Sequence, residues 1–266
     1  RSGLHKQNYP GYTRHMNNTA EVIEAAAAQL ARTTNGLSFS GKVAYTYNPL
    51  MYAWASHAEY IRRYARGPRK ILLVGMNPGP WGMAQTGVPF GEIQFVREWM
   101  QIETEVGQPE KIHPKKPIDG FDCTRSEVSG RRLWSLMRER FGTAENFFKH
   151  HYVANYCPLV FMEEGGKNLT PDKLPKAERD ALFTACNSHL IEVIHTLQPS
   201  FIIGVGKFAA EKIQRAYSLQ QCRKPAAEPV IDSILHPSPA SPQANKGWGP
   251  QASSKLIDIG AWPTES

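Results

Sequence analysis

Ile71-Leu72-Leu73-Val74 runs straight into Gly75-Met76-Asn77-Pro78-Gly79-Pro80. A short apolar run closed by glycine and proline reads as a buried strand followed by a tight turn. The same grammar recurs in His151-Tyr152-Val153-Ala154-Asn155-Tyr156 and in Phe201-Ile202-Ile203-Gly204-Val205. It appears a fourth time in Val230-Ile231-Asp232-Ser233-Ile234-Leu235, which leads into His236-Pro237-Ser238-Pro239. Helix-length segments separate these runs, which requires right-handed crossovers and a mainly parallel sheet covered on both faces. The expected fold is α/β: a three-layer α/β/α sandwich on a central, mainly parallel four-stranded sheet. In such sheets ligands gather at the carboxyl ends of the strands, and Asn77, Asn155 and His236 all fall there.

Apolar residues at helical spacing predict helices over 18–33 and over 50–66, the latter with Met51, Trp54, Ala55 and Tyr60 facing inward. Ile93, Val96, Arg97 and Met100 suggest another. A helix over 129–141 takes Ser129 as its N-cap and ends at Gly142. Further helices are expected up to about Leu197, over 207–217 and within 249–260. Residues 106–128 are rich in Pro, Lys and Asp without any period and read as a surface excursion, and Gly165-Gly166-Lys167-Asn168 reads as a loop. His15-Met16 looks like a junction, so residues 1–15 are set aside as a vector-derived or disordered tail, with 16–266 as one domain.

Lysine and arginine number 31 against 24 acidic residues, a formal charge of +7 that favours a polyanionic partner, nucleic acid first. Charge alone leaves a merely basic surface equally open. Cys123, Cys157, Cys186 and Cys222 form no C-x-x-C pair, which suits free thiols in a reducing compartment and argues against a metal site. No stretch approaches the roughly 20 apolar residues that cross a bilayer, and no signal-peptide pattern opens the chain. A soluble, intracellular protein is expected.

Two nucleotide-binding readings fail on their own terms. Gly204-Val205-Gly206-Lys207-Phe208 lacks the phosphate-loop frame, because Phe208 stands where a hydroxyl would ligate magnesium. The same glycines lack the dinucleotide fingerprint, and Pro78 and Pro80 remove N–H groups that a phosphate cradle would use.

Asn77 offers a carboxamide that holds water through donor and acceptor contacts yet cannot take its proton at neutral pH. Alone it reads equally as a turn residue before proline, and a lone His at a strand end is usually a satisfied polar group. The longer motifs separate these readings. Gly75-Met76-Asn77-Pro78-Gly79-Pro80, followed by Gly82-Met83-Ala84-Gln85-Thr86-Gly87-Val88-Pro89-Phe90-Gly91-Glu92, resembles the first motif of the single-strand-selective monofunctional uracil-DNA glycosylases. Asn155-Tyr156-Cys157-Pro158-Leu159 resembles that family's base-reading segment. His236-Pro237-Ser238-Pro239, with Pro242-Gln243-Ala244-Asn245-Lys246-Gly247-Trp248, resembles its second catalytic motif and DNA-penetrating segment. Trp81 departs from the pattern, standing where vertebrate members carry Phe.

The resemblance implies a DNA-repair glycosylase that hydrolyses the N-glycosidic bond of uracil and 5-modified uracils such as 5-hydroxymethyluracil, leaving an abasic site. It implies His236 as hydrogen-bond donor to uracil O2 and Asn77 as the residue that orients the attacking water. Asn155 would read N3–H and O4, Phe90 would stack on the base, and Met76 would add a backbone contact. Gly79, lacking a side chain, would leave room for backbone and water at C5. Pro239, Ser241, Gln243, Asn245, Lys246 and Gly247 would contact DNA and fill the space of the extruded nucleotide. No carboxylate occupies the motif position, so leaving-group stabilisation should dominate, and no lysine nucleophile suggests a lyase step. The implied partner is single- and double-stranded uracil-containing DNA, with no cofactor, metal or membrane. A monomer is expected, in a bacterial cytoplasm or nucleoid, or in the nucleus if the host is eukaryotic. A glycosylase preferring mismatched thymine or etheno-cytosine remains an alternative, as does a non-catalytic nucleic-acid-binding module.

Overall fold

The computed structural model describes the backbone of residues 10–219 and 227–264, with side chains from Thr19 onward. Cys222 and residues 1–9 lie outside the described residues. The four apolar runs form β2 (Ile71–Gly75), β3 (His151–Asn155), β6 (Phe201–Val205) and β7 (Val230–Ile234). They pair in the order β3-β2-β6-β7 and every pairing is parallel. All five residues of β2 and of β3 are buried, so both faces of the sheet are covered.

Helix α1 (Pro10–Asn35) packs against α7 (Lys176–Leu197), which in turn packs on α8 (Lys207–Ser218). A second group joins α5 (Val128–Phe141) to α6 (Ala144–Phe148) and to α9 (Trp248–Asp258). The result is the expected three-layer arrangement. Helix α1 runs without a break across the boundary drawn at residue 15.

The chain leaves β2 toward β3 on one side and leaves β6 toward β7 on the other. Adjacent strands whose connections diverge open a crevice above their carboxyl ends. The loop carrying Asn77 stands on this switch point.

Several local expectations are corrected. The stretch 50–66 is two helices, α2 (Pro49–Tyr52) and α3 (Trp54–Tyr64), broken at Ala53 with φ −115° and ψ 31°. The break resets the helical phase, so Met51 and Ala55 face solvent while Tyr60 is fully buried. A π-helical turn, Phe95–Trp99, replaces the regular helix near Ile93. Helix α5 begins at Val128 with Glu127, not Ser129, at the N-cap position, and no side chain caps it. Residues 106–128 are not a purely surface excursion, since His113, Ile118, Phe121 and Cys123 are buried. The buried Gln85 amide donates to the Pro117 carbonyl and accepts from the Asp119 and Gly120 N–H groups, giving this aperiodic backbone the partners it needs. A small antiparallel sheet of β1 (Tyr45–Tyr47), β4 (Val160–Met162) and β5 (Asn168–Leu169) was not anticipated, and it takes Asn168 out of the expected loop.

Among the described residues no helix is long and apolar enough to cross a membrane. Cys123, Cys157 and Cys186 are free and buried.

Candidate active site

Gly75 and Asn155 are register partners at the ends of β2 and β3, so the loop after Gly75 starts one strand spacing from Asn155. Just past β6, Gly206 N–H donates to the carbonyl of Ile234, the last residue of β7, at 2.9 Å, and the Gly206 backbone, at φ 98°, packs on His236. These strand ends wall a single cleft of 350 Å³, lined by Met76, Asn77, Gly79, Phe90, Asn155, His236 and Pro239 among others. Seven of the residues singled out from the sequence therefore meet. Among the described residues no lysine lines the cleft.

The polar groups are held in fixed orientations. Asn77 Nδ2 donates to the Leu159 carbonyl at 3.1 Å, which leaves Oδ1 as an acceptor toward the cleft. Ser238 N–H donates to His236 Nδ1 at 3.1 Å. An Nδ1 that accepts places the ring proton on Nε2. Burial lowers the His236 pKa, so the neutral ring is the form present at neutral pH. Asn155 Nδ2 lies 3.2 Å from Met83 Sδ, a weak acceptor, and its Oδ1 is buried without a partner among the described residues. Leaving such an acceptor unmet costs about 1–3 kcal/mol.

Phe90 is held at φ 53°, a left-handed conformation rare for aromatic residues. Its carbonyl accepts from Trp134 Nε1 at 2.8 Å and from Glu92 N–H at 2.7 Å, bonds that maintain the strained geometry. The ring lies so close to Gly75 that a Cβ there would stand 2.5 Å from Phe90 Cε2 and 2.3 Å from Asn155 Oδ1. Glycine at 75 thus lets the aromatic ring and the amide share one wall. Met76 has its carbonyl bonded to Cys157 N–H at 2.9 Å.

The expectation at Gly79 changes. The space off its Cα is not open: a Cβ there would meet Glu127 Oε2 at 2.1 Å, and one at Gly82 would meet it at 2.6 Å. Two glycines admit the carboxyl group against the loop that carries Asn77. Burial pushes the Glu127 pKa up to about 7, and the N–H groups of Trp81 and Gly82 offset only part of that rise. Its Oε2 has no hydrogen-bond partner among the described residues. The motif position holds no carboxylate, yet a carboxyl group does line the cleft. Sequence reasoning missed Glu127, and the only signal lay in two unexplained glycines some 45 residues upstream.

The segment expected to contact DNA is ordered around Arg132. Its guanidinium donates to the carbonyls of Pro237 at 3.0 Å and Ser238 at 3.4 Å, and to Asn245 Oδ1 at 2.8 Å. Asn245 Nδ2 donates to the Pro239 carbonyl at 2.8 Å, so both ends of this amide are engaged within the protein. Gln243, Lys246 and Gly247 are exposed and Ser241 is half-buried, all outside the cleft lining, on a loop with a short 3-10 turn over Ala244–Lys246.

A family model described as the uracil DNA glycosylase superfamily matches residues 63–257. The chain belongs to the uracil DNA glycosylase superfamily, and within it groups with the single-strand selective monofunctional uracil-DNA glycosylases. It is 43% identical over 227 residues to the single-strand selective monofunctional uracil DNA glycosylase of Bos taurus, covering 85% of this chain and 82% of that protein. It is 44% identical over 227 residues to the protein of that name from Rattus norvegicus, covering 85% of this chain and 80% of that protein. The fold is also that of Pedobacter heparinus SMUG2, with a TM-score of 0.59 at 18% identity over 89% of this chain and 97% of that one.

Proposed function

We propose that this chain removes uracil and 5-modified uracils from DNA by hydrolysing the N-glycosidic bond, leaving an abasic site. The observation that carries the reading is the orphaned Asn155 Oδ1 on the wall of a cleft shared with Asn77 and His236. A buried acceptor without a partner is explained by a ligand that brings a donor, and uracil N3–H is such a donor. Cytosine presents an unprotonated N3 there and leaves the acceptor unmet, which supports its rejection.

The bond breaks toward an oxocarbenium-like sugar and a uracil anion. The neutral His236 ring donates from Nε2 to O2 as charge develops on the departing base. Asn77 Oδ1 accepts a hydrogen bond from the water and so aims its lone pair at the sugar carbon, the water's proton passing to solvent as the uracil anion departs, while Phe90 stacks on the base. The base reaches the cleft only after extrusion from its stack, at a cost of a few kcal/mol. Beside Gly79, the Glu127 carboxyl supplies a polar partner for a 5-hydroxymethyl group and none for the methyl of thymine. With no lysine on the cleft wall among the described residues, the reading has no Schiff-base step and ends at base release.

Incubation with a uracil-containing oligonucleotide, read as alkali-labile sites, tests this directly. Release of uracil and of 5-hydroxymethyluracil, with thymine and etheno-cytosine left in place, is the expected result. Preferential release of either of the latter, or binding without release of any base, would overturn it.

A further inference from the structure

Beside the cleft lies a second groove of 680 Å³ whose lining includes Lys115, Lys116, Arg125 and Lys167, with Asp119 as its one carboxylate. Trp81 lines both spaces and stands at their junction. Lys116 Nζ sits 4.8 Å from the centre of the Trp81 ring and Arg125 Cζ sits 4.4 Å from it. One indole thus gathers two like charges, an arrangement that cation–π attraction favours and mutual repulsion opposes. The repulsion registers on Lys116, whose pKa is lowered first by burial and then by Arg125. None of the four cations is ion-paired among the described residues.

The groove is also rigidly built. Tyr47 Oη donates to the Lys116 carbonyl at 2.7 Å and accepts from His113 N–H at 2.8 Å. His113 Nδ1 accepts from Lys115 N–H at 3.0 Å, which leaves Nε2 to donate to the Glu164 carbonyl at 2.9 Å. Buried His113 therefore ties the wall that carries Lys115 and Lys116 to the turn that carries Lys167.

We propose that this groove seats the phosphodiester backbone flanking the extruded nucleotide. Lys116 and Arg125, gathered on Trp81, hold one phosphate at the mouth of the cleft, and Lys115 with Lys167 holds the strand beyond it. The inference rests on the DNA reading above and adds where the strand runs. Cations without an ion-pair partner next to an aromatic ring are the combination by which grooves track single strands.

The test is equilibrium binding of a labelled single-stranded oligonucleotide carrying 2′-fluoro-deoxyuridine, titrated with salt, for wild type and Lys115→Ala/Lys167→Ala. Both lysines are exposed, and neither belongs to the catalytic cleft. Each lost phosphate contact should reduce the slope of log K against log salt by about 0.7, hence by about 1.4 for the pair, with roughly tenfold weaker binding near physiological salt. Uracil release from a trinucleotide too short to reach the far end of the groove should match wild type. An unchanged slope and affinity would overturn the proposal, as would an equal loss on the trinucleotide. Loss of heparin binding with strand binding intact would show surface charge only, and would also overturn it. Failure of the wild type to release uracil would instead strike the reading of the cleft, which this binding arm leaves separate.

Discussion

Ser238 N–H donates to Nδ1 of His236 at 3.1 Å, and this one bond sets which nitrogen of the imidazole carries the proton. With Nδ1 accepting, the ring meets the cleft as a neutral Nε2–H donor. Nitrogen NMR at pH 7 should show His236 protonated at Nε2 and bare at Nδ1. It should titrate below the ordinary histidine value, because burial disfavours the charged ring. The opposite tautomer, or a ring already charged at pH 7, would contradict this account.

On the proposed reading, Asn155 gives up stability for recognition. Its Oδ1 is buried without a partner, so Asn155→Ala should leave thermal stability unchanged or raise it by about 1 kcal/mol. The same substitution should lower uracil excision by about 10²-fold, the upper part of the range for one unmet buried partner. A variant that unfolds readily, or one that excises at wild-type rates, would show that the amide is structural.

Glu127 should leave a signature in the pH dependence of stability. Its folded pKa of about 7 lies above the ordinary value of 4.5, so the folded state binds the extra proton between these limits. Stability therefore falls as pH rises from about 4.5 to about 7, and the deficit is fully present above that window. Glu127→Gln removes the titration. Its advantage over wild type in urea should grow from near zero at pH 4.5 to roughly 1–3 kcal/mol at pH 8. A gap that does not change with pH would contradict the assignment.

Arg132 should govern the order of the segment after His236. Arg132→Ala loses three charge-assisted bonds to Pro237, Ser238 and Asn245, each worth more than a neutral one. Amide exchange over 238–247 should rise, and excision from duplex substrate should fall about tenfold, with a small change in global stability. Unaltered exchange in that segment would mean that Arg132 is not its anchor.

The parallel sheet was legible because each strand is an apolar run long enough to stand out and closed by glycine, proline or a polar residue. The site was legible for the same reason, since its amides and imidazole sit at or two residues beyond the ends of those strands. The antiparallel sheet was not, because Tyr45–Tyr47, Val160–Met162 and Asn168–Leu169 are too short to show a period. Ala53 gives no sign of the break it hosts, and a distant segment packs against it there: a Cβ on Gly87 would meet its carbonyl at 2.5 Å. The positive φ of Phe90 and the seat of Glu127 are likewise products of close approach between distant segments. Asn245, expected at the DNA, is taken up by Arg132 and Pro239, a pairing that no local pattern announces.

The central claim is that His236 steadies the departing base as an anion. Single-turnover excision of uracil and of 5-fluorouracil, for wild type and His236→Ala, measures this most directly. Loss of such a donor should cost about 10²–10³ in rate on uracil. With 5-fluorouracil, a more stable anion that needs less help, the deficit should shrink markedly. An equal deficit on both bases would place His236 outside leaving-group stabilisation and contradict the account.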